Sequence, residues 1–375
     1  IMSMLEELSS VADQIQNPLL EDWMNQGKKV IGYFCTYIPE EIIMAAGALP
    51  FRMRAVGSTQ TTLGDAYLSY YNCSFTRHCL DLAFRGKYDF LEGIVGQPSC
   101  DHVRRIYDVW KAKIDTPFIH FVKVPRKNTG GATEWYKAEI IKMKEGLEEH
   151  MGIKITNDHL REAIKTCNET RTLLKSLYEL RKAENPPVTG AETLALVIAS
   201  TATPKDQFNQ KMSQLLIEVK NRNGAGNYKA RLLVASPILD NPNYLKVMED
   251  AGGLVVSDYL CFGTRAIWNN VDESTDDPME AIAQRYMERL SCPRMMGDYE
   301  RRLDFIKDSI NEYDVDGVVC TRLTFCELWG GENYMLREDM KKLDVPALVL
   351  EREHKLDSVG QLKTRIQAFL EILEK

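Results

Sequence analysis

Short apolar runs alternate along this chain with longer stretches whose apolar residues recur at helical spacing. In the first half, KKVIGYF (28–34), DFLEGIVG and PFIHFVKV are compact and apolar enough to be buried strands. HVRRIYDVWKAK, between the last two, has the spacing of an amphipathic helix. PEEIIMAAGA (39–48) reads as a helix opened by Pro39, whose missing N–H loses no partner in a first turn. Residues 65–86 hold a helix that starts near Asn72 or Ser74, either of which suits an N-cap. Residues 1–27 read as one acidic amphipathic helix. Residues 133–182 read as helix with a break near Gly152–Asn157, and GAETLALVIAS running into FNQKMSQLLIEVKNR predicts a further helix. The second half resumes the alternation. Strands ARLLVAS, GLVVS, GVVC and PALVLE are separated by the helices NYLKVMEDA, DPMEAIAQRYMERL, YERRLDFIKDSINEY and NYMLREDMKKL, and VGQLKTRIQAFLEILEK follows as a helix.

Strands that alternate with helices pair in parallel, because a parallel neighbour needs a crossover connection. The fold class is therefore α/β: two doubly wound parallel-sheet (Rossmann-like) domains with additional helices. The division expected is an N-terminal helix (1–27), a first α/β domain (28–150), a helical connecting region (151–228) and a second α/β domain (229–375). The paired prolines of ENPPVTG and the turn-rich NGAGN punctuate the connecting region. A length of 375 residues suits two domains.

A net charge of -7 with scattered basic residues argues against a nucleic-acid partner. No apolar run approaches the length of a membrane span. The first residues lack the basic and apolar regions of a signal peptide. These features point to the cytoplasm, where structural disulfides are rare, so the nine cysteines need another account. Cys167 lies inside a helical pattern and is explained as a small buried hydrophobe. Cys35, Cys100, Cys261, Cys320 and Cys326 are different, because each falls at or just past a strand. Ligands of open α/β sheets gather beyond the carboxyl ends of the strands, so thiols there can converge between two domains. Converging thiolates in a reduced protein point to a metal cluster in that cleft. Cys73 and Cys100 also sit at helix starts, where the dipole favours thiolate.

Spacing adds little. The compact C-x2-C-x2-C run is absent, as are paired zinc knuckles, and the nearest pairs are Cys73/Cys79 and Cys320/Cys326. Zinc takes four ligands in a closed site, whereas six or seven thiols suit a larger cluster. A catalytic Cys100–His102 pair is an alternative without other support. No dinucleotide or Walker A loop is present. Glu40–Glu41 offers a carboxylate near Cys35. Arg104, Arg265 and Arg322 follow cysteine loops and either offset a cluster's negative charge or form ordinary ion pairs. Asp258 and Arg265 flank Cys261. Core packing is the better account of Cys79, Cys320, Tyr70, Tyr71 and Phe75.

Several of these segments, in order, resemble the 2-hydroxyacyl-CoA dehydratase / benzoyl-CoA reductase family. GYFCTYIPEEIIMAAGALPFR looks like the family's opening strand, Pro-Glu-Glu helix and Ala-Ala-Gly turn. NCSFTRHCLDLAFRGKYDFLEGIVGQPSCDHVRRIYDVW, GVVCTRLTFCELW and the closing KTRIQAFLEIL follow the pattern too. The resemblance implies cluster ligands at Cys73, Cys100 and Cys326, an acyl-CoA substrate, and electrons from a separate ATP-hydrolysing iron–sulfur activator. One branch of the family, homodimeric double-cubane cluster proteins, needs about three thiolates per cubane. Cys35 and Cys261 are the preferred additions, and Cys292 precedes Cys79 and Cys320 as the third.

Three functions compete. The first is an iron–sulfur redox enzyme with an 8Fe-9S double cubane, charged by the activator and reducing small molecules. The second is a 4Fe-4S subunit of a 2-hydroxyacyl-CoA dehydratase or benzoyl-CoA reductase, with a partner chain and with Thr36 or Glu40 at the substrate. The third is a small-molecule-binding α/β protein without metal.

Overall fold

The computed structural model describes residues 3–374. The first four strands are β1 (Val30–Tyr33), β2 (Leu49–Arg52), β3 (Gly93–Gly96) and β4 (Phe118–Phe121), and the second four are β5 (Ala230–Ala235), β6 (Gly253–Tyr259), β7 (Gly317–Leu323) and β8 (Ala347–Arg352). They form two four-stranded sheets, ordered β2-β1-β3-β4 and β6-β5-β7-β8, and every pairing is parallel. Each sheet thus follows one plan: its first strand lies inside, its second goes to one edge, and the chain then crosses to the other side. The order reverses between β1 and β3, and between β5 and β7. Loops diverge at such switch points and leave a crevice at the carboxyl ends.

The helices are α1 (Met4–Ser10), α2 (Pro18–Asn25), α3 (Glu40–Ala45), α4 (Thr62–Asp65), α5 (Ser74–Phe84), α6 (Asp101–Lys113), α7 (Ala132–Met151) and α8 (Asn157–Leu180). After these come α9 (Gly190–Ser200), α10 (Lys205–Lys220), α11 (Asn243–Asp250), α12 (Thr264–Ile267), α13 (Pro278–Glu288), α14 (Tyr299–Glu312), α15 (Glu327–Lys342) and α16 (Val359–Leu373). None is long and apolar enough to cross a membrane.

Four details depart from the expectations. The N-terminal stretch is two helices, because Asn17 caps a new start by accepting from Leu20 N at 3.1 Å, with Pro18 at the first helical position. The stretch after Gly190 is likewise two helices, broken before Pro204. Cys73, rather than Asn72 or Ser74, occupies the N-cap position of α5. The strand β2 (LPFR) was not expected. Its Pro50 cannot donate to a ladder, which is tolerated because β2 lies at the sheet edge.

One packing feature positions the site. Met279, Ile282 and Tyr286 of α13, from the second half of the chain, are buried in the same core as Ile42 of α3 and Tyr136 and Ile140 of α7. Burying each such large apolar side chain contributes about 1.5–3 kcal/mol. The same packing delivers the loop after α13, which carries Cys292, to the carboxyl end of the first sheet.

Candidate functional site

The carboxyl-end loops of both sheets meet around a cavity of about 250 Å³. Cys35 beyond β1, Cys100 beyond β3, Cys261 beyond β6 and Cys326 beyond β7 line it, together with Cys73 at the head of α5 and Cys292 after α13. The six cysteines nominated from the sequence therefore lie on one surface, drawn from both halves of the chain. All nine cysteines are free.

The six divide into two groups. Cys73 and Cys326 belong to one core cluster, and the Cys73 loop is tied to the Cys100 helix because Cys73 N donates to His102 Nδ1 at 3.2 Å. Cys35 and Cys292 pack against a second core and Cys261 against a third; Arg52 Nη1 donates to the Cys261 carbonyl, and Cys35 and Cys261 both lie close enough to Cys292 to raise its thiol. Each member of the first group is the N-cap residue of a helix: Cys73 for α5, Cys100 for α6 and Cys326 for α15. Cys100 Sγ accepts from Val103 N at 3.4 Å, as a capping oxygen would.

Burial works against charge on these sulfurs. It pushes the Cys100 thiol well above its usual range, with the neighbouring Cys73, Cys326 and Cys292 adding to the rise. Burial raises Cys73 as well, and takes Cys326 to about 12. Cys292 is raised by burial, with the Arg265 guanidinium opposing and Cys35 and Cys261 adding. Bare Cys73, Cys100, Cys292 and Cys326 are protonated at neutral pH, so binding a cation of high charge would release their protons.

The cavity is also rich in arginine. Arg52, Arg265 and Arg294 line it, and Arg289 donates to Thr36 Oγ1 on its wall at 2.6 Å. All four are almost fully buried, and none has a carboxylate partner among the described residues; each donates only to carbonyls, a hydroxyl or, from Arg294, a methionine sulfur. The Nε atoms of Arg52, Arg265 and Arg289 have no partner at all. Elsewhere in the chain some buried cations are matched, Arg171 by Glu41, Lys205 by Glu40 and Arg302 by Glu332, while Arg54, Arg231 and Arg285 likewise donate only to carbonyls or a hydroxyl; what sets the cavity apart is that four such guanidiniums gather around one set of thiols. Burying a guanidinium without a counter-charge is costly. Six thiols beside guanidiniums without carboxylate partners could hold an anionic body bound through thiolates. Among the described residues no group of three or more His, Cys, Asp or Glu is arranged for a single metal ion.

Other nominated residues fall elsewhere. Cys79 and Cys320 are fully buried in apolar clusters, and Cys167 lies within α8 against Met44. Thr36 stands on the cavity wall, but Glu40 faces a separate small polar cavity of about 30 Å³ behind it. There Glu40 accepts from Tyr33 Oη and lies 3.0 Å from Lys205 Nζ. Arg104 is exposed and Arg322 pairs with Glu351, so of the three arginines singled out only Arg265 reaches the cavity. Tyr70 and Tyr71 are exposed rather than core, packing edge-on to Phe325, whereas Phe75 is buried. Arg52, Arg289 and Arg294 were missed. Arg294 follows Cys292 by two residues, and that proximity was the one available signal; Arg52 and Arg289 carry no local signal.

The sequence model of the family described as 2-hydroxyglutaryl-CoA dehydratase, D-component, matches residues 35–373. The chain is 29% identical to one of the subunits of benzoyl-CoA reductase from Thauera aromatica, over 85% of this chain and 84% of the relative. It is 26% identical to the beta subunit of (R)-2-hydroxyglutaryl-CoA dehydratase from Acidaminococcus fermentans, over the full length of both. It is 24% identical to the beta subunit of (R)-phenyllactyl-CoA dehydratase from Clostridium sporogenes, over 96% of this chain and 97% of the relative.

Proposed function

The chain belongs to the 2-hydroxyglutaryl-CoA dehydratase D-component family, and from that premise we propose that it is an iron–sulfur redox enzyme whose six-thiol cavity holds an 8Fe-9S double-cubane cluster. One observation carries this reading: Cys35, Cys73, Cys100, Cys261, Cys292 and Cys326 line a single cavity whose buried guanidiniums lack counter-charges. Cys73, Cys100 and Cys326 would hold one half, and Cys35, Cys261 and Cys292 the other. When bound, such a cluster supplies low-potential electrons.

The chain's own residues supply the setting. The helix starts at Cys73, Cys100 and Cys326 set positive dipole ends beside the first three sulfurs, and Cys100 Sγ accepts from Val103 N. Apolar Phe34, Phe75, Ile238 and Trp329 line the cavity and limit its water. Thr36 holds its hydroxyl at the wall, oriented by Arg289. Glu40, anchored by Lys205 and Tyr33, keeps an acceptor in the polar pocket behind Thr36. We place the protein in the cytoplasm, as a homodimer that receives electrons from an ATP-hydrolysing iron–sulfur activator.

The relatives favour a second reading. Both dehydratase relatives are named as beta subunits, and the reductase relative is likewise named as a part of a larger enzyme. On that reading the chain carries a 4Fe-4S cluster on Cys73, Cys100 and Cys326, pairs with a different chain and acts on an acyl-CoA. Iron and acid-labile sulfide measured on anaerobically purified protein, beside its mass in solution, separate the two. About eight irons per chain in a homodimer supports the double cubane, and about four supports the single cluster. No iron after reconstitution overturns both and leaves an α/β protein with free thiols.

A further inference from the structure

Resting on the double-cubane reading, we infer that Arg52, Arg265 and Arg289 make the Cys35–Cys261–Cys292 end of the cavity the end that retains an added electron, so that the two halves of the bound body differ in reduction potential. The three arginines reach this end from different elements. Arg52 closes β2, donates to the Cys261 carbonyl and stacks 3.6 Å from the Phe262 ring centroid. Arg265, in α12, donates through Nη2 to the Ser236 carbonyl at 2.8 Å. Arg289, just past α13, donates to the Arg265 carbonyl and to Thr36 Oγ1, with its guanidinium 4.0 Å from the Tyr37 ring centroid. Three full positive charges, buried and unmatched, flank one set of sulfurs.

The Cys73–Cys100–Cys326 end is built differently. Three helix starts bring about half an elementary charge each. Asp101 and Glu327, in the first turns of α6 and α15, are exposed and set negative charge at the same two helix ends. Of the cations nearby, Arg126 is matched by Asp101 at 3.7 Å and Arg77 by Asp65 at 3.1 Å. Arg294 and Arg352 favour neither end. The first donates across to the Ser99 and Pro98 carbonyls in the Cys100 loop, and the second to the Ile238 carbonyl between the two groups. Fixed positive charge therefore predominates at the Cys35–Cys261–Cys292 end. One-electron reduction by a low-potential donor adds one negative charge and makes or breaks no bond. That charge settles where positive charge is uncompensated.

The test uses full-length protein reconstituted with iron and sulfide without oxygen and titrated with titanium(III) citrate, followed by electron paramagnetic resonance. Arg265→Gln and Arg289→Gln are expected to keep the wild-type iron content, to move the first midpoint potential to more negative values and to change the reduced signal. Arg265→Lys, which keeps the charge, is expected to restore most of the shift, and Arg126→Gln to move the midpoint less. Should Arg265→Gln fail to fold, Arg289→Gln and Arg265→Lys carry the same comparison. Full iron with an unmoved midpoint in the Gln variants, or an equal shift from Arg126→Gln, overturns this inference alone. A wild-type chain that takes up no iron overturns the cluster reading and this inference with it.

Discussion

The backbone N–H of Cys73 donates to Nδ1 of His102 across 3.2 Å, which ties the start of α5 to the first turn of α6. An Nδ1 that accepts leaves the ring's proton on Nε2, so His102 is neutral in this bond. Two cysteines that are 27 positions apart in the sequence, Cys73 and Cys100, are thereby held by one contact between their loops.

Replacing His102 by Leu removes that acceptor from a part-buried N–H. The expected loss is about 1–3 kcal/mol. Urea unfolding of the metal-free chain measures it, and reconstituted protein should release iron to a chelator faster than wild type. An unchanged release rate would show that the contact does not hold the loops.

Cys292 and Cys79 should behave oppositely when changed to Ser. Cys292 lines the cavity, so Cys292→Ser should lower iron uptake with little effect on the metal-free fold. Cys79 is fully buried in an apolar cluster, so Cys79→Ser should bind wild-type iron but lose about 1–3 kcal/mol from burying a hydroxyl. Iron analysis and unfolding on the same preparations check both.

Glu41 accepts from Arg171 Nη2 and from Tyr286 Oη at 2.9 Å, joining α3, α8 and α13 in the core. The Arg171 guanidinium holds the Glu41 carboxyl below its usual range despite burial, which pushes the other way. Glu41→Ala leaves Arg171 charged and uncompensated, at an expected cost of about 3–5 kcal/mol. Because α13 delivers the Cys292 loop, iron uptake should fall too.

Asp258 folds the loop that carries Cys261. Its Oδ1 accepts from Leu260 N at 3.2 Å and Thr264 N at 3.0 Å, and Oδ2 accepts from Tyr178 Oη. A side chain on Gly263 would strike this carboxylate, so the turn closes directly over it. Asp258→Ala should cost about 1–3 kcal/mol for each buried donor it strands. Alkylation mapped by mass spectrometry should find Cys261 labelled faster and Cys79 unchanged.

Acid should weaken the fold through His78. Burial, with the neighbouring His354 adding, lowers its pKa from 6.5 to about 4. The unfolded chain therefore binds a proton first as the pH falls. The stability that neutral His78 contributes is complete above about pH 6.5 and is lost between there and about pH 4. Urea midpoints at pH 7.5 and 5 should show the decline, and His78→Gln should reduce it. An equal decline in the variant would assign the effect to other groups.

Much of this molecule was legible from local pattern. Periodicity located seven of the eight strands, and the missed one, β2, is short and contains Pro50, which reads as a breaker until the strand is seen at a sheet edge. The strand-end positions of Cys35, Cys100, Cys261 and Cys326 were visible because a strand and the loop after it are neighbours in sequence. The helix starts at Cys73 and Cys100 were visible for the same reason.

Local sequence was enough for the parallel α/β plan, the strand-end thiols and the family, because each rests on residues within a few positions of one another or on ordered motifs. It took three-dimensional packing to show that Cys292, after a helix, stands with Cys35 and Cys261 while Cys320, on a strand, does not. Which face of β7 is buried and where α13 docks are set by contacts between distant segments. The unmatched guanidiniums of Arg52, Arg265 and Arg289 belong to the same class. An arginine's sequence neighbours do not say whether a carboxylate will lie within reach, because that depends on which charges the whole fold brings together as it excludes water.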